Sequence, residues 1–185
     1  ISSCHEPINS EEALERMRLG LFVMVREGSM RRDLAAISEL KDAGIDLQRL
    51  ILVTDGVNAM DLLKDGYLEG VVQKAIDCGF KPIEAIQMAT INVAGYFQLD
   101  GITGGIAPGK HADMLIVPEF DTIRAEYVIS RGKIIARDGE LLVPPRKHEF
   151  APHSLNSVSL SREFEASDFS IEVKEEISRA DVRII

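Results

Sequence analysis

The sequence has no tryptophan, and aromatic residues make up only 5% of it. Its core must therefore be built from Ile, Leu, Val and Met. Cysteine is as scarce: Cys4 and Cys78 are the only two. They cannot form a disulfide framework and neither lies in a CxxC pair, so a reducing, cytoplasmic compartment is expected. No apolar run approaches the ~18 residues of a membrane span, and no signal-peptide pattern opens the chain, so no membrane partner is expected. Positive charge is in deficit, with 21 Lys and Arg against 30 Asp and Glu for a net charge of −9. A phosphate backbone calls for a local basic surplus, so nucleic acid is not an expected partner. Low hydrophobicity is absent too. At 45% hydrophobic and 28% charged residues, the chain lacks the composition of a disordered acidic tail. Its 185 residues suggest one large domain or one and a half.

The first hundred residues alternate between strand and helix patterns. Asn9 and Ser10 can cap a helix whose first turn carries Glu11 and Glu12, and Ala13, Leu14 and Met17 follow at helical spacing. Leu21 to Val25 is the longest apolar stretch and reads as a buried parallel strand. A second helix carries Leu34, Ile37, Leu40 and Lys41 before Gly44, and Leu50 to Val53 is the next buried strand. Helices are expected over Leu68 to Cys78 and, after Pro82, over Ile83 to Ala89. Such alternation marks a parallel sheet with crossover helices. Ile1 to Glu6 reads as the end of a further strand. Two strands and a stub cannot close a barrel, so the chain is expected to be a piece that completes a sheet supplied elsewhere. After Gly101 come short strands at Met114 to Val117, Tyr127 to Ser130 and Ile134 to Ala136, with Arg131-Gly132-Lys133 as a hairpin turn. Beyond Phe150 the chain is polar and charged, with strands expected at Phe169 to Val173 and Val182 to Ile185.

In a parallel α/β protein the side chains at the carboxyl ends of the strands face the site. That rule selects His5 with Glu6, Arg26 with Glu27, and Asp55. His5 could ligate a divalent metal or move a proton, Glu6 could be a general acid or base, and Asp55 could bind a metal while accepting a proton from water. The plainer alternatives are a solvated His-Glu pair, a rim salt bridge between Arg26 and Glu27, and a simple Thr54-Asp55-Gly56 turn. The glycine-rich stretch Gly101 to Gly109 has neither the Lys-Ser/Thr pair of a phosphate loop nor a GxGxxG after a strand. His111, His148 and His153 are too loosely spaced for a zinc site and read as surface residues. Met24, Met60 and Met88 are expected to fill core gaps, and Cys78 to be a small buried hydrophobe.

Gly105-Ile106-Ala107-Pro108-Gly109-Lys110-His111-Ala112-Asp113-Met114-Leu115-Ile116-Val117 resembles the segment where metal-dependent amidohydrolases leave their barrel for a small β-sandwich. Ala85 to Ala94 is similar to the helix before it. Ser3-Cys4-His5-Glu6, Arg18-Leu19-Gly20, Val23-Met24-Val25-Arg26-Glu27-Gly28-Ser29 and Thr54-Asp55-Gly56 are similar to the adenine deaminases of that superfamily. The resemblance implies an α/β fold, the C-terminal part of a (β/α)8 amidohydrolase barrel followed by short strands of a small β-sandwich domain. Residues 1–104 would be the last strands and helices of the barrel, 105–147 the sandwich return, and 148–185 the start of that family's C-terminal domain. It also implies hydrolytic deamination of adenine to hypoxanthine and ammonia by a metal-activated water. The metal would be divalent, with manganese or iron ahead of zinc, and His5 and Asp55 would be two of its ligands. Asp55, Glu6 and His5 would be the catalytic groups, because a ring nitrogen must gain a proton as the water loses one. The implied partners are a small purine and further copies of the chain in a homo-oligomer. The piece alone is expected to be inactive.

The sequence departs from that family at three positions. Cys4 stands where Asp is usual, Gly56 where a second Asp is usual, and Tyr67 where a histidine is usual. Two alternatives follow, an amidohydrolase acting on another ring or amide and a catalytically dead homologue with a binding or scaffold role.

Overall fold

A computed structural model describes residues 1–145 and 147–171. It divides into two units, Ile1–Pro144 and Pro145–Ile185.

In the first unit, three parallel strands lie in the order β1 (Ser3–Cys4), β2 (Phe22–Arg26) and β3 (Leu50–Val53). Their register pairs Cys4 with Val23, Val23 with Leu50 and Val25 with Leu52. Side chains alternate across a strand, and one face carries Val23, Val25, Leu50 and Leu52, all buried. Against that face pack α1 (Ser10–Arg18), α2 (Leu34–Ile37), α4 (Leu68–Asp77) and α5 (Pro82–Ala89), which contribute Ala13, Leu34, Ile37, Val71, Ala75, Ala85 and Met88 to a single apolar core. The opposite face carries Phe22, Met24 and Arg26 in β2, with Ile51 and Val53 paired beside them.

The helix ends follow local chemistry. The Asn9 Oδ1 accepts from the Glu12 N–H at 2.9 Å, with Glu11 and Glu12 at the positive end of the α1 dipole and Arg16 and Arg18 at its negative end. α2 passes directly into a 3₁₀ turn over Ser38–Asp42, so the expected second helix exists as two short pieces. Pro82 opens α5 at a position where no backbone donor is needed. α3 (Ala59–Asp65) was not expected from the sequence, and the helix that the family resemblance implies over Ala85 to Ala94 is divided at Thr90 into α5 and α6 (Ile91–Tyr96). α6 carries Asn92, whose Nδ2 donates to the carbonyls of Leu47 and Leu50 at 2.9 and 2.8 Å, fixing the start of β3. Near the same end Tyr96 stacks edge-on to Phe22 and its hydroxyl bonds the Ser3 Oγ at 2.9 Å.

The strands β4 (Met114–Ile116), β5 (Tyr127–Ser130), β6 (Lys133–Arg137) and β7 (Glu140–Leu141) form an antiparallel sheet in chain order. The β5–β6 turn places Arg131 and Gly132 at φ 49° and 75°, the left-handed pair that matches hairpin twist. Asp138-Gly139 repeats the device between β6 and β7. Asp113 anchors the first turn, accepting from the Arg131 N–H at 2.7 Å and the Ser130 hydroxyl at 3.1 Å. Those two bonds, the backbone one foremost, hold its carboxyl below the usual aspartate value.

In the second unit a helical turn covers Pro152–Leu155 and a 3₁₀ turn covers Ala166–Phe169. Arg162 grips Asp168 through two bonds of 2.6 and 2.8 Å. Phe169 thus ends a helical turn where a strand was expected to begin, because the Asp168 side chain also accepts from the Glu165 N–H and winds the chain. The rest of that expected strand, from residue 172, and the one at Val182 to Ile185 lie outside the described residues. Met60 is a further correction. It is 75% exposed on α3, a helix with no buried residue, and does not fill the core. Met88 is fully buried and Met24 partly so, whereas Cys78 is only part-buried.

Candidate active site

The three groups selected at the strand ends come to one edge of the parallel sheet. His5 and Glu6 follow β1, Arg26 closes β2 with Glu27 after it, and Asp55 stands two residues past β3. With β2 between them, the outer strands lie roughly 9–10 Å apart, two strand spacings.

His5 and Glu6 pair with each other, Nε2 to Oε1 at 3.0 Å, and both side chains are more than half exposed. The other Glu6 oxygen meets Arg26 Nη1 at 3.3 Å, while Arg26 Nε donates to Asp33 Oδ2 at 3.1 Å. Arg26 is 5% exposed, and its Nη2 is buried with no hydrogen-bond partner among the described residues. Such an orphaned donor ordinarily costs about 1–3 kcal/mol.

Glu27 turns the other way. Its Oε1 receives the Lys74 ammonium from α4 at 2.5 Å, and its Oε2 accepts from the Leu34 N–H at 3.3 Å. Arg26 and Glu27 therefore do not pair with each other, as a rim salt bridge would need; both meet the start of α2, and Arg26 reaches Glu6 after β1 while Glu27 reaches Lys74 on α4. Asp33 and Lys74 are the partners the sequence reading missed. Asp33 had one signal, its place just before an apolar helical repeat. Lys74 had none, because a lysine within a helix is normally a solvated one.

Asp55 is exposed and sits at φ 58°, a left-handed backbone uncommon outside glycine. The surrounding loops hold it there. The Glu27 N–H donates to the Val53 carbonyl at 2.9 Å, the Ser29 N–H to that of Gly56 at 2.9 Å, and the Asn58 N–H to the Ser29 hydroxyl at 2.9 Å. Gly28 lies so close to the Thr54 carbonyl that no side chain fits. A cleft of about 330 Å³ opens beside this junction, lined by Glu27, Gly28, Thr54, Asp61, Tyr67 and Lys74. A larger groove of about 930 Å³ lies among Leu14, Phe22, Leu47, Arg49 and Asn92, toward the amino ends of the strands. Parallel sheets do not place their chemistry at that end.

Among the described residues no three His, Cys, Asp or Glu side chains gather as a metal site. Catalytic metals of this kind use three or more protein ligands, so these residues do not hold an ion by themselves. His111, His148 and His153 are exposed, as expected of surface residues.

The amidohydrolase family pattern matches residues 9–136, and the chain belongs to the amidohydrolase family. It is 38% identical over 186 residues to an adenine deaminase of Moorella thermoacetica, covering all of this chain and 31% of that protein. An adenine deaminase of Clostridium botulinum (strain 657 / Type Ba4) is 34% identical over 188 residues, with the same coverage. The chain thus spans about a third of the length of these relatives. Among solved structures, the β-aspartyl dipeptidase of Fervidobacterium islandicum AW-1 superposes with a TM-score of 0.58 at 23% identity, over 74% of this chain and 38% of that one. Molinate hydrolase superposes at 0.52 and 17% identity, over 80% of this chain and 40% of that one. At these identities the likeness is one of fold.

Proposed function

We propose that this chain forms part of an adenine deaminase, converting adenine and water to hypoxanthine and ammonia. The observation that carries the reading is the convergence of His5, Glu6 and Asp55 on the carboxyl edge of one parallel sheet. The relatives named adenine deaminase, similar along the whole chain, supply the substrate. In this reading the three strands belong to a (β/α)8 barrel, and the antiparallel strands to a small β-sandwich beside it. Residues 1–104, 105–147 and 148–185 are the proposed divisions.

Deamination at C6 moves both protons of the attacking water: one is taken as it attacks and later given to the departing ammonia, and the other is lost from the new C6 hydroxyl in exchange for the one delivered to a ring nitrogen. Asp55 sits on the edge as the base toward water and the later donor to nitrogen. Glu6, held on the far side of β2, is the acid toward the ring. His5 steadies the Glu6 carboxylate. The family chemistry uses a divalent metal, manganese or iron ahead of zinc, to polarise the water. His5 and Asp55 would be two of its ligands, and the others would come from outside this chain. A cytoplasmic homo-oligomer acting on a small purine, with no nucleic acid or membrane partner, completes the proposal.

The test is hypoxanthine formation from adenine, followed by chromatography. The full-length protein is expected to form it, and residues 1–185 alone are not. An alternative substrate, another ring or amide, is favoured by Gly56, next to Asp55 in the chain, and by Tyr67 in the cleft with Thr54, and turnover of such a compound with none of adenine would establish it.

A further inference from the structure

We infer that Arg26 is the positioning residue of this site, a buried guanidinium that aims the Glu6 carboxylate by gripping Glu6 and Asp33 at once. The inference rests on the reading above, in which Glu6 and His5 work on the substrate.

Glu6 by itself is poorly suited to the role assigned to it. Its side chain is 61% exposed and its carboxylate would sample several rotamers. Arg26, by contrast, is 5% exposed. It is fixed twice by one residue, because the Asp33 side chain accepts from Nε at 3.1 Å and the Asp33 N–H donates to the Arg26 carbonyl at 2.9 Å. With Nε so anchored, Nη1 meets one Glu6 oxygen at 3.3 Å and leaves the other oxygen 3.0 Å from His5 Nε2. Asp33, Arg26, Glu6 and His5 thus form a chain of polar contacts leading from a largely buried anchor to the exposed edge. The planar fork suits this task where a lysine does not, since a single ammonium cannot hold two carboxylates in fixed directions. Holding an acid within a few tenths of an ångström of its target is what supporting residues contribute to catalysis.

The experiment is a double-mutant cycle in the full-length protein, with Arg26→Lys, Glu6→Gln and the pair, read as kcat and KM for ammonia release from adenine. Arg26→Lys is expected to lower kcat roughly 10- to 100-fold, with KM changed by less than about threefold. The double variant is expected to lose no more than Glu6→Gln alone, because Arg26 acts through Glu6. A loss of less than about twofold in Arg26→Lys, or a double variant whose loss is the product of the two single losses, overturns the inference. Should Arg26→Lys fail to fold, Asp33→Asn loosens the same fork and is judged by the same cycle. If the unaltered protein releases no ammonia from adenine, the proposed substrate is wrong, and crystal structures of the protein and Arg26→Lys decide the inference by themselves. A Glu6 carboxylate that leaves His5 in the variant supports it, and one that stays in place overturns it.

Discussion

The α-carbon of Gly28 is packed against the Thr54 carbonyl, and a Cβ there would overlap that oxygen and lie 2.6 Å from the carbonyl of Gly56. Both obstacles are backbone, so neither can swing aside. Gly28→Ala must push the end of β3 outward and carry Asp55 with it. Such overpacking costs about 1–3 kcal/mol, and the variant is expected to unfold at lower urea while losing most activity in the full-length protein. Unchanged stability with full activity would show that the contact does not set the position of Asp55.

The Glu27–Lys74 pair is asymmetric, since the Glu27 side chain is 8% exposed and that of Lys74 37%. Removing the lysine strands a buried carboxylate, whereas removing the carboxylate charge leaves an ammonium that can turn to water. Lys74→Met is therefore expected to destabilise more than Glu27→Gln, which costs roughly 1–2 kcal/mol. Urea unfolding of the two variants measures the order, and the reverse order would contradict this account of the end of β2.

Asn92 ties α6 to the start of β3 through two bonds to carbonyls. Asn92→Ala leaves the buried Leu50 carbonyl without that donor and is expected to cost about 1–3 kcal/mol. Amide exchange at the start of β3 should quicken in the variant. Exchange as slow as in the parent would mean that the strand start is held by other contacts.

Asp113 gives the antiparallel sheet a pH dependence of known sign. Its carboxyl is held below the ordinary value of 3.8 by the Arg131 N–H and the Ser130 hydroxyl. The charged form is favoured on folding, so the contribution is complete above the unfolded value and is lost as pH falls through the lowered one. Between pH 5 and the acid limit, Asp113→Asn should flatten part of the loss of stability expected of the parent. Identical acid limbs would show that the turn bonds carry no linkage.

β2 and β3 were legible because each is a short apolar run closed by polar residues, and β3 falls on Leu50–Val53 as expected. α1 was legible through its Asn9 cap and paired acids. α3 was not, for a physical reason. It buries no residue, and its Met60, Leu62 and Leu63 are exposed, so its apolar residues belong to no core face, and Asn58, whose Oδ1 accepts from the Asp61 N–H at 2.9 Å, caps its start. The rule of strand ends selected His5, Glu6, Arg26, Glu27 and Asp55, which lie at one edge of the sheet. It could not say that Arg26 and Glu27 turn to different partners, because partners 7 and 47 residues away are set by packing. The left-handed backbone of Asp55 was equally hidden, since it arises from the loops that brace it.

The central claim is that Asp55 serves a deaminase. It is tested most directly by ammonia release from adenine in the full-length protein, compared with Asp55→Asn. The account predicts turnover by the parent and a loss of about 10²- to 10⁴-fold in the variant, the range for removal of a positioned acid–base group. Equal turnover in both, or none in the parent with metal bound, would contradict it.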